Sequence, residues 1–232
     1  FILTDDLGYG DVGILFQKQR DGIQIKTPEL DQMATAGTIM SRHYCPAPIC
    51  APSRASLITG MHQGHSNVRN MQFDKAIEDN WNFANTLQKA GYYTMHLGKY
   101  GLQGWGHSPE KWAAYPTKRG FDYFYGYVRH VDGHQHYPAN FWKLGDNKSH
   151  QQKKQVWENN DEVSAGLDKC YTTDLWTAKA KQLIMSEARE NPKRPFFMYL
   201  AYDTPHAALQ LPTVAYPDGK GVSGGLQWLG QA

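Results

Sequence analysis

Pro195-Phe196-Phe197-Met198-Tyr199-Leu200-Ala201-Tyr202 is an almost unbroken apolar run. A strand that is apolar at every position must bury both of its faces, and such strands belong to parallel sheets covered by helices on either side. Tyr92-Tyr93-Thr94-Met95-His96-Leu97 alternates and is rich in aromatics, so it reads as a second strand. Phe1-Ile2-Leu3-Thr4 reads as the end of another buried strand. Each of the three runs stops at residues that carry chemistry: Asp5-Asp6, Gly98-Lys99 and Asp203-Thr204-Pro205-His206. In open α/β sheets ligands bind outside the carboxyl ends of the strands. Taken singly, a lysine after a strand is a solvated charge and a histidine is structural. Sharing one sheet edge makes Asp5, Asp6, Lys99 and His206 candidates for a site.

Helix signals fall between these strands. Thr27-Pro28-Glu29 sets a cap, a first-turn proline and an acid before Leu30, Met33 and Ala34, and Gly37 stops the helix. Phe83 to Ala90 forms another, with Phe83, Ala84, Leu87 and Ala90 inward and Gly91 closing it. A third runs from Thr172-Thr173-Asp174 to about Glu190, and the last two lead into strands, as in a doubly wound sheet.

Cys50-Ala51-Pro52-Ser53-Arg54 precedes a helix-compatible run that ends at Thr59-Gly60. Pro52 suits a first helical turn, which places residue 50 near a helix N-terminus, where free N–H groups and the dipole favour an anion. A buried structural cysteine, or half of a disulfide with Cys45, is the alternative reading. The adjacent carboxylates Asp5 and Asp6 repel one another unless they are solvated or neutralised. Their oxygens suit a hard divalent cation, and they offer nothing that selects zinc or copper.

Cys50-x-Pro52-Ser53-Arg54 with its following helix resembles the signature of the formylglycine-dependent sulfatases, members of the alkaline phosphatase-like superfamily. Asp5-Asp6-x-Gly8-x-Gly10-Asp11 is similar to that family's first metal-binding segment, Gly98-Lys99-x-x-Leu102 to its sulfate-contacting lysine, and Pro205-His206 to its histidine. The resemblance implies an α/β fold with a mostly parallel central sheet and helices on both faces, incomplete at both ends. It also implies that a maturating enzyme oxidises Cys50 to formylglycine, the nucleophile for a sulfate monoester. Asp5, Asp6 and residue 50 would hold Ca2+ (or Mg2+), with Asp11 left as a turn residue. Arg54 would support the nucleophile, and Lys99 and His206 would bind sulfate. A sulfated carbohydrate is the expected substrate. A phosphonate or phosphate ester hydrolase of the same superfamily, or a non-catalytic binding protein on the same scaffold, are the rival readings.

One departure stands out. Many relatives carry Gly-Lys-Trp-His-Leu-Gly, but here glycine 101 takes the histidine position and Gln103 replaces the last glycine. Glycine cannot move a proton, so one acid–base role lacks an owner. Residues 103–160 read as a loop-rich insertion near the site, with Gly120-Phe121-Asp122-Tyr123 leading to His130, His134 and His136. These spacings match no common zinc pattern. His134 is the expected substrate contact and the first candidate for the missing base.

Composition adds bounds. A net charge of +2 gives no cause to expect nucleic acid, and no basic run is interleaved with aromatics. Three cysteines do not make a disulfide scaffold. Residues 1–232 are expected to be the N-terminal part of the catalytic domain, since the resemblance implies a later Asp-Asn pair and a second lysine. The chain opens on Phe1 in mid-strand, so any export signal would precede it. A periplasmic or secreted location is the expectation.

Overall fold

A computed structural model describes residues 1–72, 74–138, 154–167 and 170–206. The chain divides into two compact units. The first joins Phe1–Asp5 to the chain from Pro46 onward, and the second is Asp6–Cys45.

The first unit is built on a six-stranded sheet. Its strands are β1 (Ile2–Asp5), β2 (Tyr93–Lys99), β3 (Tyr123–Tyr127), β4 (Val156–Glu158), β5 (Asp161–Glu162) and β6 (Phe196–Pro205). They lie in the order β1-β6-β2-β3-β4-β5. The pairs β1·β6, β6·β2 and β2·β3 are parallel, while β4 and β5 add antiparallel at the far side. The expected α/β architecture, mostly parallel, is therefore present. It contains helices α2 (Cys50–Thr59), α3 (Phe83–Lys89) and α4 (Thr172–Glu190).

The strands send alternate side chains into two cores. Ala51, Ala55 and Ile58 of α2 and Ala84 of α3 join Phe124, Tyr199 and Ala201 in one. Leu175, Trp176 and Ala180 of α4 join Met95, Leu97, Tyr125, Tyr127, Met198 and Leu200 in the other. This is the helix-on-both-faces arrangement that a doubly apolar β6 requires. The aromatic content lies largely here: Phe83 meets Phe121, Phe197 and Tyr199 edge-on, and Trp176 meets Tyr125 and Tyr127 edge-on.

Several expectations change in detail. β2 is buried on both faces from Thr94 onward, because it lies in the middle of the sheet, with α2 and α3 packed on one face and α4 on the other. β1 lies at the sheet edge, and Ile2 is exposed, so only its end is buried as expected. Ala90 is exposed and caps α3 instead of packing inward. Segment 103–160 is not loop throughout: β3 and β4 fall within it, and part of it lies outside the described residues. Among the described residues no helix is long and apolar enough to cross a membrane.

The second unit contains α1 (Pro28–Ala36). Leu30 and Met33, expected as its apolar stripe, are both exposed. Asp31 organises the unit instead: its carboxylate accepts from Ile14 N–H at 2.8 Å and Thr27 Oγ1 at 3.0 Å, and pairs with Lys18 at 2.9 Å. Asp11 is a turn residue, with Oδ2 accepting from Gly8 N–H at 2.9 Å.

Gly98 sits in β2 with φ of +93°, opposite Gly126 on one side and Ala201 on the other. A Cβ there would overlap the Ala201 carbonyl, which is backbone and cannot give way. Gly98→Ala is therefore expected to lower unfolding free energy by at least about 2 kcal/mol, read as a shift in the denaturant midpoint at unchanged slope.

Candidate active site

The parallel strands deliver three residues to one edge. Asp5 ends β1, Lys99 ends β2, and His206 directly follows β6. α2 begins at the same edge, with Cys50 as its first residue and Arg54 one turn further. The helix starts where the sequence places it: Ile49 is extended, and Ser53 N–H makes the first helical bond to Ile49 O at 3.1 Å. Gly60 closes it in the left-handed region at φ of +69°. Ala51, Ala55 and Ile58 pin α2 to the sheet, so residues 50 and 54 point consistently to the edge.

The electrostatic centre is Asp5. Lys99 Nζ donates to its Oδ2 at 2.6 Å, and Arg54 Nη2 lies 3.6 Å from the same oxygen. Arg54 Nη1 also donates to Lys99 O at 2.7 Å, tying the helix to the strand end. Relative exposures are 5% for Asp5, 2% for Arg54 and 0% for Lys99, so none of these charges is a solvated surface group. Burial alone would raise the Asp5 carboxyl, but Arg54 and Lys99 outweigh it and hold it below the ordinary value. The stability this pairing contributes is present above the unfolded carboxylate range. It is lost as pH falls through the lowered folded value.

The histidine segment folds as a 3-10 turn, His130–His134, braced by Arg129, whose Nε and Nη2 donate to Asp132 at 2.9 and 2.8 Å. Gly133 lies against Lys99: a Cβ there would fall within 2.5–2.9 Å of three Lys99 side-chain carbons. The turn thus covers Lys99 and brings His130 Nε2 to 3.2 Å from Cys50 Sγ. His134 meets His130 edge-on at 5.1 Å and stacks on His206 at 4.6 Å. Burial and the Lys99 charge push His130 down to about 2 and His134 down to about 3, so both imidazoles are neutral at ordinary pH.

Two groups of donor atoms converge on residue 50. Cys50, His130 and His134 form one, and Asp5, Cys50 and His206 form the other, each with all ligand atoms within 4.8 Å of one another. All three cysteines are free, so Cys50 and Cys45 are not bridged.

The structure therefore brings together Cys50, Arg54, Lys99, His206, Asp5 and His134. Asp6 is the first residue of the other unit, in the left-handed region at φ of 66°. Sequence reasoning missed the support beneath the site. His136 is buried, with Nδ1 3.1 Å from Asp203 Oδ2 and Nε2 2.9 Å from His206 O. Asp203 also accepts from Thr172 Oγ1 at 2.8 Å and Trp176 Nε1 at 2.9 Å. The sequence offers His136 in the histidine cluster and Asp203 at the end of an apolar strand, but nothing local shows that the two pair.

A protein-family model described as Sulfatase matches residues 1–222. The chain is 32% identical over 218 residues to arylsulfatase J of Mus musculus, covering 91% of this chain and 33% of that protein. It is 29% identical over 226 residues to N-acetylgalactosamine-6-sulfatase of Homo sapiens, covering 89% and 39%. A crystal structure of Ps i-CgsB in complex with k-i-k-neocarrahexaose superposes with a TM-score of 0.70 at 29% identity. That likeness covers 95% of this chain and 48% of the other. The chain thus spans 33% to 39% of the length of these two curated relatives.

Burial would raise the Cys50 thiol, but hydrogen bonding with His206 and the charge of Lys99 bring it below the ordinary value. With residue 50 kept as a thiol, its alkylation by iodoacetamide is expected to show a pH midpoint below that of an ordinary cysteine. His206→Ala removes a lowering partner, so the midpoint is expected to rise, read by mass spectrometry of the peptide containing Cys50.

Proposed function

The chain belongs to the sulfatase family, and from that membership we propose that the protein hydrolyses sulfate monoesters, on a carbohydrate, with formylglycine made from Cys50. The observation that carries the reading is the convergence of Cys50, Asp5, Arg54, Lys99 and His206 on one sheet edge, with the charges buried. A simple binding scaffold has no use for a half-buried cysteine held among an arginine, a lysine and three histidines.

Oxidised to formylglycine and hydrated, residue 50 carries two hydroxyls on one carbon, one of them the nucleophile and the other left to drive sulfate release. The site fits this change, since Cys50 is half-buried and His130 already lies at hydrogen-bond distance from its side chain. Lys99 spends one of its three N–H donors on Asp5, leaving the others for sulfate oxygens. Arg54 stays charged and keeps the developing negative charge compensated. His206 protonates the leaving alcohol. His134, stacked on His206, is the further substrate contact in this reading.

Asp5 and Asp6 are the proposed calcium ligands together with residue 50, magnesium being the alternative. Their carboxylates are the right donors, but Asp5 is already neutralised by two cations. A dication of this kind takes about six to eight oxygen ligands, so others must complete the shell. When bound, it would orient the sulfate and steady the nucleophilic oxygen. Support for a carbohydrate comes from the relatives: one is named for N-acetylgalactosamine, and one structure holds a neocarrahexaose. A periplasmic or secreted location accompanies this reading.

Co-expression with a sulfatase-maturating enzyme is expected to convert Cys50 to an aldehyde, seen as a mass change on its tryptic peptide. The matured full-length enzyme is then expected to cleave an aryl sulfate in preference to a phosphate diester or a phosphonate ester. The opposite preference would move the chain to the ester hydrolases of the same superfamily.

Asp5→Asn removes the anion shared by Lys99, Arg54 and the proposed cation. Activity is expected to fall by roughly 10²–10³-fold, with calcium content by elemental analysis falling in parallel. Unchanged turnover and metal content would place the metal elsewhere.

A further inference from the structure

We infer that His130 supplies the proton-accepting imidazole for residue 50, entering from the β3 side into space that Gly101 leaves open, with Gln103 and Asp74 holding it there. The inference rests on the sulfatase reading above.

Three observations carry it. First, Gly101 and His130 compete for one volume. Gly101 N–H donates to Val128 O at 3.0 Å, so the chain after β2 runs beside the chain after β3. A Cβ at residue 101 would lie 2.8 Å from His130 Nδ1 and 3.5 Å from its Cα. Any side chain at 101 would therefore displace this imidazole. Gly101 also has φ of +73°, which disfavours a substituent on backbone grounds as well. The missing histidine of the lysine motif and the presence of His130 are thus one structural event.

Second, Gln103 braces the same residue. It is buried, and its Nε2 donates to Asp74 Oδ1 at 2.6 Å. That oxygen also accepts the backbone N–H of His130 at 3.2 Å. The two departures from the motif, at 101 and 103, therefore act on one imidazole: the first vacates its place and the second fixes its backbone.

Third, the ring is aimed at residue 50. Nε2 of His130 is 3.2 Å from Cys50 Sγ, while His134 stacks on His206. This assigns the base to His130, where the sequence alone favours His134.

The step is the release of sulfate. A proton passes from the second hydroxyl of the hydrated residue-50 aldehyde to Nε2 of His130. The O–H electron pair becomes the second bond of the C=O group. The C–O bond to the sulfate breaks, and its pair leaves with the sulfate. Water re-hydrates the aldehyde, and His130 returns its proton to solvent. In the preceding transfer of the sulfo group the attacking hydroxyl gives up its proton to solvent and His206 protonates the leaving alcohol, so His130 is first needed at sulfate release.

The test uses the matured full-length enzyme and an aryl sulfate. His130→Ala and the gentler His130→Gln are each expected to lower kcat by about 10²–10⁴-fold. In both, a sulfo adduct on residue 50 is expected to accumulate during turnover, detected by intact mass. Gln103→Leu, which alters a positioning residue, is expected to show the same adduct at lower occupancy, a readout that loss of stability alone would not produce. His134→Ala is expected to raise KM without adduct. Adduct accumulating in His134→Ala and not in the His130 variants would overturn the assignment, as would undiminished kcat in either His130 variant. A matured, unsubstituted enzyme that leaves sulfate esters intact would instead overturn the sulfatase reading, and it is recognised before any substitution is made.

Discussion

The buried carboxylate of Asp5 between Lys99 and Arg54 is the interaction on which the rest of the site depends. Lys99 is wholly enclosed, and an ammonium in that position without a counter-charge would be strongly unfavourable. Removing one partner from such a buried pair typically costs about 3–5 kcal/mol. The requirement fixes geometry as well as energy. Among the described strands β1 pairs only with β6. Its pairing with β6 and the Asp5–Lys99 contact together bring its last residue beside the end of β2. Arg54 then locks α2 to the same point through Lys99 O, which places Cys50.

The histidine turn is the second layer, and it is built around the first. Gly133 exists where it does because the aliphatic stem of Lys99 passes against it. The turn that shields Lys99 from water is thus the turn that delivers His130 and His134. Desolvation of the lysine and supply of neutral imidazoles come from one packing arrangement. His136 serves a different purpose. Its contacts with Asp203 and with the carbonyl of His206 fix the chain after β6, where the final site histidine emerges. Three histidines in seven residues therefore face three different partners: residue 50, His206, and the strand end beneath them.

Much of this was legible in the chain itself. The doubly apolar run at 196–202 demanded a strand covered on both sides, and α2 and α4 provide that cover. The carboxyl-end rule by itself puts Asp5, Lys99 and His206 on one edge. The boundaries of α4 and the stop at Gly60 followed from local chemistry. Local signals were weaker where burial depends on distant neighbours. Leu30 and Met33 have helical spacing, yet spacing cannot tell whether anything packs on the stripe. β2 alternates in sequence, a pattern typical of a strand with one solvated face, yet Thr94 is satisfied by Gly120 O and Asp122, and His96 lies among aromatic rings.

The sequence by itself determined the residue types, their order along the chain and the strand ends from which they emerge, because those depend on short-range periodicity and caps. It also exposed two departures in the lysine motif at 101 and 103. Only the tertiary structure decided what the departures mean. Gly101 and His130 are 29 residues apart in the chain, and Gln103 and Asp74 are also 29 apart. The meeting of the first pair follows from the parallel register of β2 and β3, a long-range pairing that no local pattern encodes. Contest for a single volume is a property of packed side chains, and it appears only once the strands have been laid side by side.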